Sequence, residues 1–248
     1  MQEKLLSEIQ NAIKETISDK KIGIAFSGGV DSTLVSKICN DLGFDITLLT
    51  IGFPNSHDIL FAKDVNKHLN YKHEILEIDE DFFDEIASKI GKKIKTDNLS
   101  WNENCIAFYH VAKLAQNLGI TTVVTANGID ELFCGYNAYR EAIEVGEENV
   151  LQLMDSKLEN ELKMMKAVNE VTSELSVRII QPLLNEQFIK VAKTIPISEK
   201  ISGKYDLIRK HIIRKLASEI GVPDISVKKR KKALQYGSMI HKAFLKSK

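Results

Sequence analysis

Ser27-Gly28-Gly29-Val30-Asp31-Ser32-Thr33 carries more structural information than any other part of the chain. Upstream of it lies an apolar, strand-like run, Ile22-Gly23-Ile24-Ala25-Phe26. Downstream, Leu34, Val35, Ile38 and Leu42 recur at helical spacing. A glycine-rich turn from strand to helix gathers several backbone N–H groups and the positive end of the helix dipole into one small volume. Side chains at Gly28 and Gly29 would fill that volume. Such a nest binds phosphate or pyrophosphate. It is not a Walker loop, because no Gly-Lys-Ser/Thr closes it and its spacing is too short. The competing reading is a tight turn in which Asp31 or Ser32 merely caps a helix.

Outward from this loop, strands and helices alternate. Strands are expected over 21–26, 45–51, 73–78 and 120–125, and helices from the loop to near Gly43 and over 58–69, 80–90 and 103–118. Ser56 or Asp58 is the expected cap of the second of these. Before them, Leu5, Leu6, Ile9, Ala12, Ile13 and Ile17 trace one face of an amphipathic helix. This order predicts an α/β fold, a parallel sheet covered by helices on both faces. Ligands of such sheets sit at the carboxyl ends of the strands, so the loops at Ser27, Gly52 and Ala126 should share one edge. Beyond Tyr136 strand signals vanish, and 151–177, 187–194 and 205–220 read as helices. The expectation is one domain over 1–248: a helix to 19, an α/β part over 20–136 and a mainly helical part from 137.

Lys plus Arg and Asp plus Glu both number 34, so no overall charge draws the chain to nucleic acid or membrane. No apolar run approaches the roughly 18 residues of a membrane span, and charges interrupt any signal-peptide core at the N-terminus. Cys39, Cys105 and Cys134 are scattered and form no CxxC pair, which argues against zinc, iron–sulfur or a disulfide framework. A cytoplasmic location is expected.

A second loop follows the expected fourth strand: Thr125-Ala126-Asn127-Gly128-Ile129-Asp130-Glu131-Leu132-Phe133-Cys134-Gly135-Tyr136. Adjacent carboxylates beside a phosphate nest repel unless a cation such as magnesium bridges them to a polyphosphate. Alone, an Asp-Glu pair is a solvated turn. The first loop resembles the signature of the PP-loop ATP pyrophosphatases. With the second loop, with Ile51-Gly52-Phe53-Pro54-Asn55-Ser56-His57-Asp58 and with Arg230-Lys231-Lys232-Ala233-Leu234-Gln235-Tyr236-Gly237-Ser238, the chain resembles the synthetase domain of the asparagine synthetase family.

That resemblance implies roles. Ser27, Gly28, Gly29, Ser32 and Thr33 would hold the β- and γ-phosphates of ATP, and Asp31, Asp130 and Glu131 would ligate Mg2+. Backbone around Phe26, Ile51, Thr125 and Ala126, with Gly52 and Gly128 beside it, would border adenine and ribose. Lys232, or failing it Lys231, would reach the α-phosphate, with Asp130 as its catalytic partner. The implied reaction is attack of a substrate carboxylate on the α-phosphorus, giving an acyl-adenylate and pyrophosphate, followed by displacement of AMP by ammonia or an amine. Arg230 would contact phosphate bidentately, although a five-residue basic run, Lys228 to Lys232, otherwise reads as a solvated face or as a nucleic-acid or targeting patch.

Met1-Gln2 leads straight into the first helix, where a glutamine-using relative begins with a cysteine nucleophile. The nitrogen is therefore expected from free ammonia, a separate glutaminase subunit or another amine; a homodimer also fits. Asn127, Ile180 and Asn185 stand where the family carries Glu, Arg and Asp, and Arg178 is out of register, which leaves the acceptor carboxylate open. Glu103 is one candidate replacement, and Trp101 either walls the pocket or joins the core. His57-Asp58 reads as helix capping rather than a metal pair, and His110 and Tyr109 as packed or surface residues. Two rivals are a tRNA- or sulfur-handling PP-loop enzyme, disfavoured by the zero net charge and unpaired cysteines, and a non-catalytic nucleotide-binding partner subunit.

Overall fold

Five parallel strands form the centre of the molecule in a computed structural model that describes residues 1–230 and 233–246. They are β1 (Lys21–Ala25), β2 (Asp45–Gly52), β3 (His73–Glu77), β4 (Thr122–Val124) and β5 (Arg178–Ile180), in the spatial order β3-β2-β1-β4-β5. Ala25 lies opposite Leu49 on one side, and Ile24 opposite Val124 on the other. Chain order thus reverses between β1 and β4. The two loops leaving these strands diverge there and open a crevice at the carboxyl edge. In β2 every residue from Ile46 to Gly52 is buried, which is why it is mostly apolar with only Thr47 and Thr50 between.

The helices are α1 (Gln2–Thr16), α2 (Val30–Asp41), α3 (His57–Leu69), α4 (Glu80–Ile94), α5 (Leu99–Asn117), α6 (Ile129–Leu132), α7 (Ala138–Val145), α8 (Glu147–Thr172), α9 (Glu186–Thr194), α10 (His211–Glu219), α11 (Asp224–Val227), α12 (Leu234–Gly237) and α13 (Ile240–Lys246). The face of α1 read from the sequence is buried: Leu5, Ile9, Ala12 and Ile13 pack toward α2, α9 and α10. Helix α5 is covered by α8 and rests on β2 and β3. It begins four residues earlier than its apolar spacing suggests, because Asn98 Oδ1 accepts the Trp101 N–H at 3.2 Å. The three cysteines are free and buried.

Two expectations for the second half need correction. A fifth strand exists: Arg178–Ile180 adds to the open side of β4, with Val123 opposite Ile179. Three residues carry too little period to be read as a strand, and the unpaired backbone of β4 supplies the drive. Helix α8 therefore stops at Thr172, and a 3-10 turn leads into β5. Second, α10 begins at His211 rather than at 205. Residues 202–210 are instead a loop wound on the Asp206 carboxylate, which accepts the N–H groups of Ser202 (3.0 Å), Ile208 (3.0 Å) and Arg209 (2.8 Å) and bonds His211 Nε2 (2.6 Å). Burial works to raise this carboxyl, but the donors from Arg209, Ser202 and His211 outweigh it and hold it down to about 2.

Candidate active site

A cavity of about 450 Å³ opens at the carboxyl edge, lined from β1, β2 and β4 and their loops and from α5, α8 and the chain after α10. The glycine loop enters it at the N-terminus of α2, with Gly29 at the cap position. Local bonds shape it. The Thr33 hydroxyl donates to Gly29 O at 2.8 Å and the Ser32 hydroxyl to the same oxygen at 3.2 Å, while the Ser27 N–H reaches Ser32 Oγ at 3.3 Å. These serines occupy donors that a bound anion would otherwise take.

Of the residues singled out from the sequence, Phe26, Ser27, Gly29, Asp31, Ser32, Ile51, Thr125, Ala126, Asp130 and Glu131 line the cavity. Gly28, Thr33, Gly52 and Gly128 do not. The space above Gly28 is filled by Phe61, Val65 and Ala62, and Thr33 is fully buried. A Cβ on Gly52 would meet Ser56 Oγ at 2.3 Å. Gly128 has φ +105° and faces the Leu183 carbonyl, 2.7 Å from where a Cβ would stand. These four shape the loops from behind. Lys231 and Lys232 lie outside the described residues, but Lys229 and Arg230 before them and Ala233 after them line the cavity. Lys229 stands 4.6 Å from the centre of the Phe61 ring. Lys228 turns away to Asp224 at the surface.

The acidic loop is held in a bent form by two features. Gly135 leaves room for its own neighbour: a Cβ there would fall 1.8 Å from Asp130 Oδ1. Glu131 faces back into its own turn, accepting the Gly128 N–H at 3.0 Å and the Tyr136 hydroxyl. Asp130, rather than Glu131, is therefore the carboxylate turned toward Lys210.

Opposite it is Asp31, and between the two stands Lys210. Its ammonium donates to Asp31 Oδ2 at 2.6 Å and to Asp130 Oδ1 at 3.0 Å, and the residue is 1% exposed. Burial would discharge this lysine, but Asp130 and Asp31 outweigh it and raise its pKa above the ordinary value. Arg209 and Lys210 have φ +52° and +54°, consecutive left-handed residues with side chains, a strain of about 1 kcal/mol or more each. Their neighbours hold them so. Arg209 donates to Gly135 O at 3.0 Å. Arg214 donates to Arg209 O at 2.9 Å, Ile208 O at 3.1 Å, Lys229 O at 3.0 Å and Val227 O. The sequence reading passed over Lys210 and Arg214. The one available signal was two basic residues four apart, Lys210 and Arg214, flanking the apolar pair Ile212-Ile213.

The far wall comes from α5 and α8. Asn127 donates to Glu161 Oε1 at 2.6 Å, and Glu161 is 5% exposed. A carboxylate thus lies beside the position where the asparagine replaced one. It is not Glu103, which is buried elsewhere and paired with His241 Nδ1 at 2.6 Å. Trp101 bonds the rim through Asn160 at 3.1 Å. Arg178 lies at the opposite end of the sheet with Asp19 at 3.0 Å, and Asn185 caps α9. Neither reaches the cavity lining. Ser56 holds the cap position of α3, and Asp58 is buried with its carboxylate against Gly237. His110 and Tyr109 are packed within the core.

The asparagine synthase family model matches residues 4–178 and 146–247. The chain belongs to the asparagine synthase family. It is 30% identical over 249 residues to "Putative asparagine synthetase (glutamine-hydrolyzing) 1" of Methanocaldococcus jannaschii, a match covering 88% of this chain and 46% of that one. It is 26% identical to asparagine synthetase B (glutamine-hydrolyzing) of Escherichia coli, over 84% and 41% of the two chains. This chain therefore spans less than half the length of these relatives. Among solved structures, the NMN synthetase from Francisella tularensis shares the fold, with a TM-score of 0.50 at 16% identity over 95% of this chain and 75% of that one. The parallel sheet clad in helices read from the sequence is the fold observed. No helix among the described residues is long and apolar enough to cross a membrane.

Proposed function

We propose that the chain is the synthetase part of an ATP-dependent amide ligase that forms AMP and pyrophosphate. One observation carries the reading: the phosphate nest and the acidic loop, about a hundred residues apart in sequence, face a single cavity with Asp31 and Asp130 on either side of one cation. Membership of the asparagine synthase family supports it. Ser27, Gly29 and Ser32 offer N–H and hydroxyl donors to the phosphates of ATP, and the strand ends at Phe26, Ile51, Thr125 and Ala126 border the base and ribose.

Asp31 and Asp130 are the residues that would hold Mg2+. Asp31 Oδ1 is buried with no hydrogen-bond partner, an unmet acceptor that suits a hard cation. When bound, Mg2+ neutralises charge on the polyphosphate. Glu131, expected as a third ligand, serves in this reading as the cap that aims Asp130. Lys232 supplies the positive charge where the attacked phosphorus gains negative charge, the kind of stabilisation that dominates such transfers. Lys210, anchored from below, adds a second fixed charge at the same edge.

The substrate carboxylate attacks the α-phosphorus, the bond to the bridging oxygen breaks, and pyrophosphate leaves. Ammonia or an amine then displaces AMP from the acyl carbon. Glu161, held by Asn127, provides the negative charge on the acceptor side. Ammonia reaches the site directly or from a separate glutaminase subunit.

The test is release of pyrophosphate and AMP from ATP, Mg2+ and ammonium with a panel of carboxylic acids that includes aspartate. AMP and pyrophosphate in equal amounts, dependent on one acid, are expected. ADP and phosphate, or turnover independent of any acid, would overturn the reading.

A further inference from the structure

We infer that Lys210 is an internal counter-ion that keeps free divalent cations out of the acidic site, so that the metal enters only together with a polyphosphate. The inference rests on the ATP reading for the identity of the polyphosphate, but not for the role of Lys210 in the free protein.

A cation bridging Asp31 and Asp130 needs an oxygen from each. Those oxygens, Asp31 Oδ2 and Asp130 Oδ1, are already joined through the Lys210 ammonium at 2.6 and 3.0 Å. Lys210 cannot swing aside freely. It is 1% exposed, and its backbone is fixed in a left-handed turn, with its own carbonyl bonded to the Arg214 N–H at 3.0 Å and the preceding carbonyl to the Arg214 guanidinium at 2.9 Å. A metal ion between the carboxylates would face this buried ammonium at close range, where like charges repel strongly even though the two carboxylates are partly exposed.

Asp31 Oδ1 has no hydrogen-bond partner. One such oxygen holds a hydrated divalent ion only weakly, since these ions take six or more oxygens and must keep water for the rest. Among the described residues, no group of three or more His, Cys, Asp or Glu side chains is clustered to hold a metal ion. Phosphate oxygens would make up the deficit, and their negative charge would also offset the ammonium. Lys210 thus makes metal and polyphosphate binding mutually dependent.

The test is Mn2+ titration of the whole chain without nucleotide, reading free Mn2+ by electron paramagnetic resonance and protein stability by thermal melting. Wild type should bind no Mn2+ below millimolar concentration, and its Tm should not respond. Lys210→Met and Lys210→Gln should each bind at least tenfold more tightly and rise in Tm with Mn2+, because two facing carboxylates then need a cation. A wild-type protein that binds one Mn2+ at micromolar concentration without nucleotide overturns the inference. So do variants that fold and bind no better than wild type. If either variant folds only when Mn2+ is present, that supports it. Repeating the wild-type titration with a non-hydrolysable ATP analogue should create the site. Failure of that arm alone counts against the ATP reading and leaves the variant comparison standing.

Discussion

The loops after β1 and β4 meet across the same cavity, yet they are built in opposite ways. The β1 loop makes most of its shaping bonds within seven residues, among Ser27, Gly29, Ser32 and Thr33, with Ser226 of α11 as its brace from farther along the chain. The β4 loop takes its shape partly from Gly135 and Glu131 but its partners from far off: Leu183 behind Gly128, Glu161 beside Asn127, and Arg209 and Lys210 around Asp130. A nest for phosphate oxygens can be made by backbone alone, since every residue brings an N–H. A pair of facing carboxylates cannot, because their repulsion has to be met by a cation brought from elsewhere in the chain.

Four experiments would break or sharpen that contrast. The largest effect is expected from Arg214→Met, which leaves the buried carbonyls of Arg209 and Val227 and the part-buried ones of Ile208 and Lys229 without this donor and should cost about 3–5 kcal/mol of unfolding free energy in urea melts. A loss below 1 kcal/mol would show that the remote scaffold matters little. Next, Gly135→Ala forces the Asp130 carboxylate to move and should lower acid-dependent pyrophosphate release about 100-fold, roughly 2.7 kcal/mol. Gly29→Ala, whose Cβ would stand 3.4 Å from Ser27 Oγ, should leave folding intact and weaken ATP binding instead. Equal defects of one kind in both would erase the distinction between the loops. Third, Glu161→Gln should reduce acid-dependent turnover at least tenfold, about 1.4 kcal/mol, while ATP affinity measured by calorimetry stays within a few fold. Parallel loss of both would place Glu161 with the nucleotide.

The smallest effect concerns the helix beneath the far wall. Burial pushes the His110 imidazole down to about 4. The folded state therefore binds fewer protons than the unfolded state between pH 6.5 and 4. The stability of the neutral form is complete above pH 6.5 and is lost as pH falls toward 4. By pH 5.5 the loss is about 1 kcal/mol. His110→Gln should flatten this part of the Tm profile, although His73, pushed down to about 4 by burial and by Lys63, retains a share. An unchanged slope would mean that His110 becomes solvated before it titrates.

What could be read from the sequence follows the same division. β1, β2 and β4 were readable because buried parallel strands are largely apolar with turn signals at both ends; β3, half-buried at the edge of the sheet, was readable from Ile75 and Leu76 at its centre. β5 was not, since three residues have no period and only the open side of β4 makes them a strand. Most of the positions read on the two strand-end loops line the cavity, Gly28, Thr33 and Gly128 excepted. Lys210, Arg214 and Glu161 were not found, because each sits in the helical part, where a charged residue looks like any solvated one until the partner it faces is known. Glu103 had the right chemistry and the wrong address, paired with His241 at the back of α5. Ser226 is a further case: its hydroxyl donates to Gly28 O at 2.6 Å and meets Thr33 Oγ1 at 3.0 Å, so α11 braces the glycine loop from a distance no local pattern reveals.

The Arg214 guanidinium holds the carbonyls of Ile208 and Arg209 with one set of N–H groups, and those of Val227 and Lys229 with another. The turn that aims Lys210 and the start of the basic run are therefore one mechanical unit. An anion that draws Lys210 toward it also pulls on the backbone at Lys229. Linkage makes the effect reciprocal: whatever free energy this coupling lends to anion binding, anion binding returns in full to the hold on the backbone at Val227 and Lys229.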